Sequence, residues 1–335
     1  RNFDGLKFPE LIFFQPKKLF FFKNCTVTIQ YLDCVFKEID NDILQIQNAT
    51  TSTFKVIKHS ELKIKPRVSQ QGYIDLIHKL KSHIQRGDIY EANFCQEFYT
   101  NGQIDPLLTF ERLQDLSLPP FAVFFKNKSH FLLSASPERY LKKEGDLLIS
   151  QPIKGTAARS SNSTEDLNLK NNLLADPKER SENVMIVDLV RNDLSKIAQK
   201  GSVRVEELHA IYSFKQVHHL ISTIKAKLRP EISAVDAICA SYPMGSMTGA
   251  PKISAMKIIE NLEFSKRGLY SGSVGYFSPD GNFDFNVVIR SILYNAETSY
   301  ISFSVGSAIT AKSVPEKEYE ECLIKAKALI EVLEN

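Results

Sequence analysis

Segments that read as β-strand come in runs along this chain, segments of helical spacing come in blocks between them, and no strand–helix–strand unit repeats. A helical stretch at 70–85, with Ile74, Ile77, Leu80 and Ile84 on one face, is followed by strand-like stretches at 93–99, 121–125, 131–134 and 140–149. Helical stretches at 165–174 and 177–197 lead to strands at 203–207 and 216–228. Helices at 234–241 and 250–261, strands at 271–277, 285–294 and 300–305, and a helix at 315–333 follow. Parallel strands need long crossovers, so strands joined by short turns are antiparallel, and the order predicts α+β rather than a doubly wound sheet. Residues 1–65 are rich in Phe, with strand-like stretches at 26–31 and 53–57. No repeat, low-complexity linker or domain cut is visible, which predicts one large domain over 1–335.

The 335 residues, 43% hydrophobic and 24% charged, can bury a core without disulfides or a structural metal. Lys and Arg number 42 against 39 Asp and Glu, an excess too small to ask for nucleic acid or an anionic membrane. Cys25, Cys34, Cys95, Cys239 and Cys322 are scattered, with no Cys-x-x-Cys pair, and are expected to be reduced core thiols of a cytoplasmic protein. Apolar runs such as 19–22 fall far short of the roughly 20 residues of a membrane span. No signal-peptide pattern is seen.

Carboxylates at helical spacing carry the first chemical signal. Ser313, Pro315 and Glu316 predict a capped start to the final helix, and Tyr319, Cys322, Leu323, Ala326, Leu329 and Ile330 form its apolar stripe. Glu318, Glu321 and Lys325 fall together on one flank. That set could hold a hard cation and an anion beside it. It equally describes a solvated face with an i,i+4 pair. Glu179 and Glu182 repeat the spacing at the head of the 177–197 helix, which is apolar nearly all round between 184 and 190 and is predicted to be buried. Acid at a helix N-terminus is favourable in itself, but carboxylates leading into a buried helix need a partner or a metal. Two such pairs on separate helices suit Mg²⁺, which takes one or two carboxylates and keeps positions for other oxygens.

Other segments leave more open. Asp188, Arg191 and Asp193 are expected to form a structural ion pair. The small residues of 244–252 offer free N–H groups to an anion but match neither the phosphate-loop nor the dinucleotide pattern. Lys154, flanked by apolar residues, is either a turn lysine or a desolvated amine whose lowered pKa makes it a nucleophile. Of His218 and His219, in one strand, one should point inward and one outward.

Read in order, Ser134-Ala-Ser-Pro-Glu-Arg139, Pro152-Ile-Lys-Gly-Thr156, the segment 182–193, Gly245-Ser-Met-Thr-Gly-Ala-Pro-Lys252, Tyr270-Ser-Gly-Ser-Val-Gly-Tyr276 and Glu318-Tyr-Glu-Glu321 resemble the chorismate-utilising enzymes. This is the family of the anthranilate synthase and aminodeoxychorismate synthase large subunits. The resemblance implies an αββα sandwich, two antiparallel sheets face to face with helices outside. It also implies a catalytic core at 71–335 and a shortened β-rich part at 1–70. Glu182 and Glu321 would bind Mg²⁺, with Glu179 and Glu318 close by, and the metal would hold the ring carboxylate of chorismate. Glu138 would protonate the departing 4-hydroxyl, with His219 near it; Tyr270, Arg290, Gly306 and Lys325 would hold the enolpyruvyl carboxylate. Thr248 and adjacent amides would contact the ring carboxylate.

Lys154 points to the aminodeoxychorismate synthase branch, because anthranilate synthases usually carry alanine there. In that branch the amine attacks ring C2 as the 4-hydroxyl leaves, and ammonia then adds at C4 and expels it. The expected product is 4-amino-4-deoxychorismate, on the way to para-aminobenzoate and folate. No Cys–His–Glu glutaminase can be placed in the chain, so ammonia would come from a glutamine amidotransferase subunit. Anthranilate synthase and a catalytically silent chorismate-binding subunit are the competing readings; the retained Glu138, glutamate pairs, Arg290 and Lys325 count against the second. Glu91 stands where relatives usually have glutamine and water-adding relatives have lysine, which argues against water as nucleophile and leaves its own role open. Asn183 replaces a histidine common in anthranilate synthases, and no Leu-Leu-Glu-Ser element of a tryptophan pocket is found.

Overall fold

A computed structural model describes residues 2–49, 62–215 and 217–334; the expected strand at 53–57 lies outside them. The chain forms two compact units, Pro9–Lys58 and the remainder, Arg1–Phe8 with His59–Asn335. In the smaller unit, β1 (Lys18–Lys23) and β2 (Thr26–Tyr31) pair antiparallel and α1 (Ile39–Asn48) follows. Lys18 Nζ lies 2.5 Å from Asp42 and 2.7 Å from Glu38, tying the hairpin to the helical segment.

The larger unit opens with β3 (Lys65–Pro66), α2 (Gln70–Gln85), β4 (Glu91–Asn101), α3 (Pro106–Ser117), β5 (Phe121–Asn127) and β6 (His130–Ser136). Next come β7 (Arg139–Glu144), β8 (Leu147–Gln151), β9 (Ile153–Ala158), α4 (Ser163–Ala175), α5 (Pro177–Ser195), β10 (Arg204–Ser213) and β11 (Val217–Lys227). It closes with α6 (Ala234–Ser241), β12 (Gly249–Ala250), α7 (Lys252–Leu262), β13 (Gly275–Phe277), β14 (Phe283–Asn286), β15 (Ser291–Asn295), β16 (Tyr300–Ile309) and α8 (Pro315–Glu334).

Two seven-stranded sheets result, with antiparallel pairings throughout. One runs β10-β11-β8-β7-β14-β13 with β9 also on β11; the other runs β12-β4-β16-β15-β6-β5 with β3 on β4. The period-2 rule divides the second sheet between two cores. Phe94, Phe98, Leu133, Ile292, Ile301 and Phe303 face the core shared with α2, α7 and α8. Cys95, Leu132, Leu293 and Tyr300 face the other way, into the core shared with Tyr140, Leu141, Leu148 and Ile224 of the first sheet. The architecture is therefore α+β, two antiparallel sheets with helices packed against them, as expected from the strand runs.

Several local expectations change. The single strand expected at 285–294 is two: β14 belongs to one sheet and β15 to the other, and Arg290, in the left-handed region at φ 52°, turns the chain between them. Helix α5 buries one face (Glu182, Asn183, Ile186, Val187, Val190, Asp193, Leu194) rather than its whole circumference, and Val184 is 48% exposed. Asp193 does not pair with Arg191, which reaches exposed Asp188; it binds Lys252 Nζ at 2.5 Å and Lys196 at 3.0 Å. The Ser313 hydroxyl turns back to Thr310 N and Ala308 O, so the expected forward cap is not made. On α8 the stripe runs through Tyr319, Cys322, Ala326, Leu329, Val332 and Leu333, whereas Leu323 is exposed. Only Cys95 and Cys322 are core thiols. Finally, His218 and His219 do point to opposite faces of β11, but both are buried, because each face is covered.

Candidate active site

The site begins at Lys154, on β9, a strand whose Pro-Ile-Lys-Gly-Thr sequence reads as a turn and which forms because β11 supplies its hydrogen-bonding edge. Lys154 is 9% exposed, and its Nζ donates to Glu91 Oε1 at 3.2 Å. Glu91, at the start of β4, is fully buried, and its Oε2 has no hydrogen-bond partner among the described residues. Burial alone would lower the Lys154 pKa. The negative charges of Glu91, Glu182 and Glu138 outweigh it and hold the pKa above the ordinary lysine range. The expectation of a lysine made nucleophilic by a lowered pKa is thereby corrected: the resting group is a buried ammonium.

Glu138 sits in the link between β6 and β7, where the Ser136 hydroxyl receives its backbone N–H and its carbonyl receives Val287 N–H. Burial pushes its carboxyl up to about 7, despite a hydrogen bond from Ser246 and the charge of Lys154. His219 lies on β11 with Nδ1 3.0 Å from the Thr156 hydroxyl. Burial, helped by the Arg290 charge, lowers it to about 4, so its ring is neutral at pH 7.

Two helices bring the four glutamates together. Asp176 caps α5 through the N–H groups of Lys178 and Glu179, placing Glu179 and Glu182 in the first two turns. Lys178 Nζ lies 3.8 Å from Glu182 Oε1 and 3.4 Å from Glu318 Oε1, so α5 and α8 share one cation. Glu182 Oε1 and Glu318 Oε2 are buried without a hydrogen-bond partner. Burial raises Glu182 to about 7 against the pull of Lys154 and Lys178, and it raises Glu179 as well. Glu321 goes the other way: burial is overcome by Lys325, whose Nζ is 2.5 Å away. Among the described residues no three ligating side chains converge closely enough to hold one ion as they stand.

The anion-binding candidates line the neighbouring wall. Arg290 makes no hydrogen bond or ion pair through its guanidinium among the described residues; burial lowers its pKa, opposed by Tyr270 and Glu321. Lys325 Nζ donates to Gly306 O at 2.8 Å. A Cβ on Gly306 would stand 2.4 Å from Cys95 Sγ, so only glycine lets β16 approach β4 here. The Tyr270 hydroxyl is 3.6 Å from Cys95 Sγ. Thr248 is buried, its hydroxyl bonded at 3.3 Å to the carbonyls of Met244 and Gly245 in its own turn.

The 244–250 segment is anchored at three points. Lys252 Nζ donates to Asp193 on α5 and to the Ser241 and Pro243 carbonyls. Arg267 donates to the Met247 and Asn93 carbonyls. Gly249 and Ala250 pair with Ala92 and Glu91. Thus Thr248, Glu91 and Lys154 are joined in one framework. Thr156 and Ser246 lie within segments quoted from the sequence but carry no role of their own there, and Lys178 and Arg267 are not singled out at all, because their contacts to Glu318 and to the Asn93 carbonyl join residues distant in the chain.

Residues 4–331 match the family described as chorismate binding enzyme. The chain is 40% identical over 291 residues to the chloroplastic aminodeoxychorismate synthase of Arabidopsis thaliana, covering 85% of this chain and 31% of that protein. It is likewise 40% identical over 268 residues to an anthranilate synthase component I-like protein of Synechocystis sp., covering 79% and 55%. The chain thus spans from just under a third to just over half of the length of these relatives. Among solved structures, anthranilate synthase component I from Streptococcus pneumoniae superposes with a TM-score of 0.80 at 28% identity, over 90% of this chain and 67% of that one.

Proposed function

The chain belongs to the chorismate-binding enzyme family, and from that premise we propose that it is the synthase of aminodeoxychorismate, joining chorismate and ammonia into 4-amino-4-deoxychorismate. The observation that carries the branch is Lys154, a buried amine held within 3.2 Å of Glu91 and under the charge of Glu138. A relative with alanine at this position would have no side-chain amine to offer C2.

Glu138, half protonated at about pH 7, gives its proton to the 4-hydroxyl as that group leaves. The Lys154 amine forms the bond to C2, and ammonia at C4 then displaces it. Neutral His219 offers a lone pair or an N–H beside the leaving group without adding charge. The unpaired Arg290 guanidinium, with Lys325 and the Tyr270 hydroxyl, receives the enolpyruvyl carboxylate. The turn that carries Thr248 is the proposed seat of the ring carboxylate, although the N–H groups of Met247 and Thr248 are taken by the carbonyls of Met244 and Gly245, so the free N–H groups expected from sequence are not offered at these two positions.

The orphaned oxygens of Glu182 and Glu318 fit a divalent cation, since Mg²⁺ needs only one or two protein carboxylates. Glu182 and Glu321, with Glu179 and Glu318 beside them, would hold it, and it would supply a Lewis-acidic seat for the ring carboxylate. Lys178 neutralises part of the same charge. A glutamine amidotransferase subunit is the proposed ammonia source.

Identification of the product settles the branch. Chorismate, Mg²⁺ and ammonium salt should give 4-amino-4-deoxychorismate, and Lys154→Ala should lose most turnover, of the order of 10²-fold or more. Fluorescent anthranilate as the main product would favour the other branch. Unchanged turnover in Lys154→Ala would remove the lysine from the chemistry.

A further inference from the structure

A resting ammonium cannot attack carbon, so Lys154 must lose a proton before it reacts. The charged groups that act on it are Glu91 from β4, Glu138 from the β6–β7 link, Glu182 and Glu179 from α5, and Glu321 from α8. Of these, only Glu91 lies within hydrogen-bond distance of Nζ among the described residues. Glu138 must keep its own proton for the leaving hydroxyl. Glu182 shares the Lys178 cation with Glu318, and Glu321 is held by Lys325. Glu91 has no other hydrogen-bonded or ionic side-chain partner among the described residues, and its second oxygen is buried and empty-handed. Its backbone is fixed by pairing to Ala250, so the carboxylate is aimed by the same strand edge that carries the Thr248 turn.

We propose that Glu91 is the proton acceptor of Lys154, taking one proton from Nζ as the amine attacks and returning it when the amine is expelled. This rests on the reading of Lys154 as the nucleophile. The exchange begins as ammonium plus carboxylate becoming amine plus carboxylic acid. The Nζ lone pair then forms the bond to C2, both conjugated ring double bonds shift by one position, and the C4–O bond breaks; the hydroxyl takes the proton of Glu138 and leaves as water. Nζ now carries two hydrogens and the positive charge. When ammonia bonds to C4, the C2–Nζ pair returns to nitrogen, and Glu91 protonates the free amine. The new C4 ammonium restores the proton of Glu138.

Because one proton is shared within a coupled pair, transfer to Glu91 does not draw on bulk pH, whereas without Glu91 the proton must leave to solvent. In Glu91→Gln, kcat at pH 7 and fixed free ammonia should fall by at least about tenfold, softened from the usual loss of a placed base because solvent can still take the proton. KM for chorismate should change less than about twofold, since Glu91 acts on the amine and not on a substrate carboxylate. The ratio of wild-type to Glu91→Gln kcat should shrink toward one as pH rises, and Glu91→Asp should recover part of the loss. Independently of turnover, the ¹³Cε resonance of Lys154, assigned with Lys154→Arg, should titrate at lower pH in Glu91→Gln than in the wild type.

A rate ratio that stays constant with pH, or a Lys154 titration that does not move, would overturn the role of Glu91. Should Glu91→Gln not fold, Glu91→Asp carries the same two measurements. If Lys154→Ala were fully active, the nucleophile itself would be wrong. An inactive Lys154→Ala with a pH-independent Glu91 ratio would sink only the proton acceptor.

Discussion

Glu138 owes its raised pKa to its surroundings rather than its sequence neighbours: removal from water costs the carboxylate more than Ser246 and Lys154 return, and burial pushes the group up to about 7. The form that donates is the protonated one, so turnover at fixed free ammonia should decline as pH rises through about 7. Glu138→Gln should abolish that limb and cost on the order of 10²- to 10⁴-fold in kcat. The linkage has the same sign. A folded pKa above the ordinary carboxylate value contributes stability that is fully present below the unfolded value and is lost as pH passes the folded one. Glu138→Gln, uncharged at every pH, should therefore melt higher than the wild type at pH 8, as calorimetry would read. A lower melting temperature would mean that the carboxylate is better solvated than its burial implies.

At the scale of elements, the first turns of α5 and a flank of α8 carry the four glutamates, with Lys178 bridging Glu182 to Glu318 across the two helices and Lys325 held on Glu321. The i,i+3 spacing of each pair is visible in the sequence; that the two helices meet is not, because it depends on α5 covering β9 and β11 while α8 covers β16. Mg²⁺ should raise the melting temperature of the wild type, and isothermal titration should show it bind. Glu182→Gln should lose that response. In the absence of metal at pH 8 the same variant should be no less stable than the wild type, since burial has raised Glu182 to about 7 and its charge is unfavourable there. An undiminished Mg²⁺ response in both Glu182→Gln and Glu321→Gln would return the glutamates to a purely structural role. The helix start at Ser313 teaches a smaller lesson: a serine ahead of a Pro-led helix has a choice of partners, and here the preceding segment takes the hydroxyl.

For the whole molecule, burial also decides which thiols can act. Cys95 is pushed up to about 11 and Cys322 to about 12, both chiefly by burial, so neither is a thiolate near neutrality. Cys25, Cys34 and Cys239 are exposed, but no Cys–His–Glu glutaminase set can be placed around them, so glutamine alone should give no product with this chain, whereas ammonium at alkaline pH should, because only neutral ammonia carries the attacking lone pair. Adding a glutaminase subunit should restore use of glutamine. Amination from glutamine by the purified chain alone would contradict this.

Much of the architecture follows from one-dimensional pattern. Helix α2 shows its stripe and ends where the stripe ends, and β4–β8 and β16 alternate or run apolar as strands buried on one or both faces must. Helix α3 is missing from the sequence reading, although Asp105 as cap and Pro106 at its first position could have marked it. The ordered motifs carry the family because each needs its own residues close together in the chain. What periodicity could not decide was pairing. β9 is a strand because β11 lies beside it, and the 285–294 stretch divides because two sheets claim its halves. Protonation was equally out of reach, since it depends on charges brought together from 63 residues away, as Glu91 is to Lys154. Local sequence sets backbone preference and hydrophobic face; long-range packing sets who lies next to whom, and with it the local dielectric and charge that a buried lysine and glutamate experience.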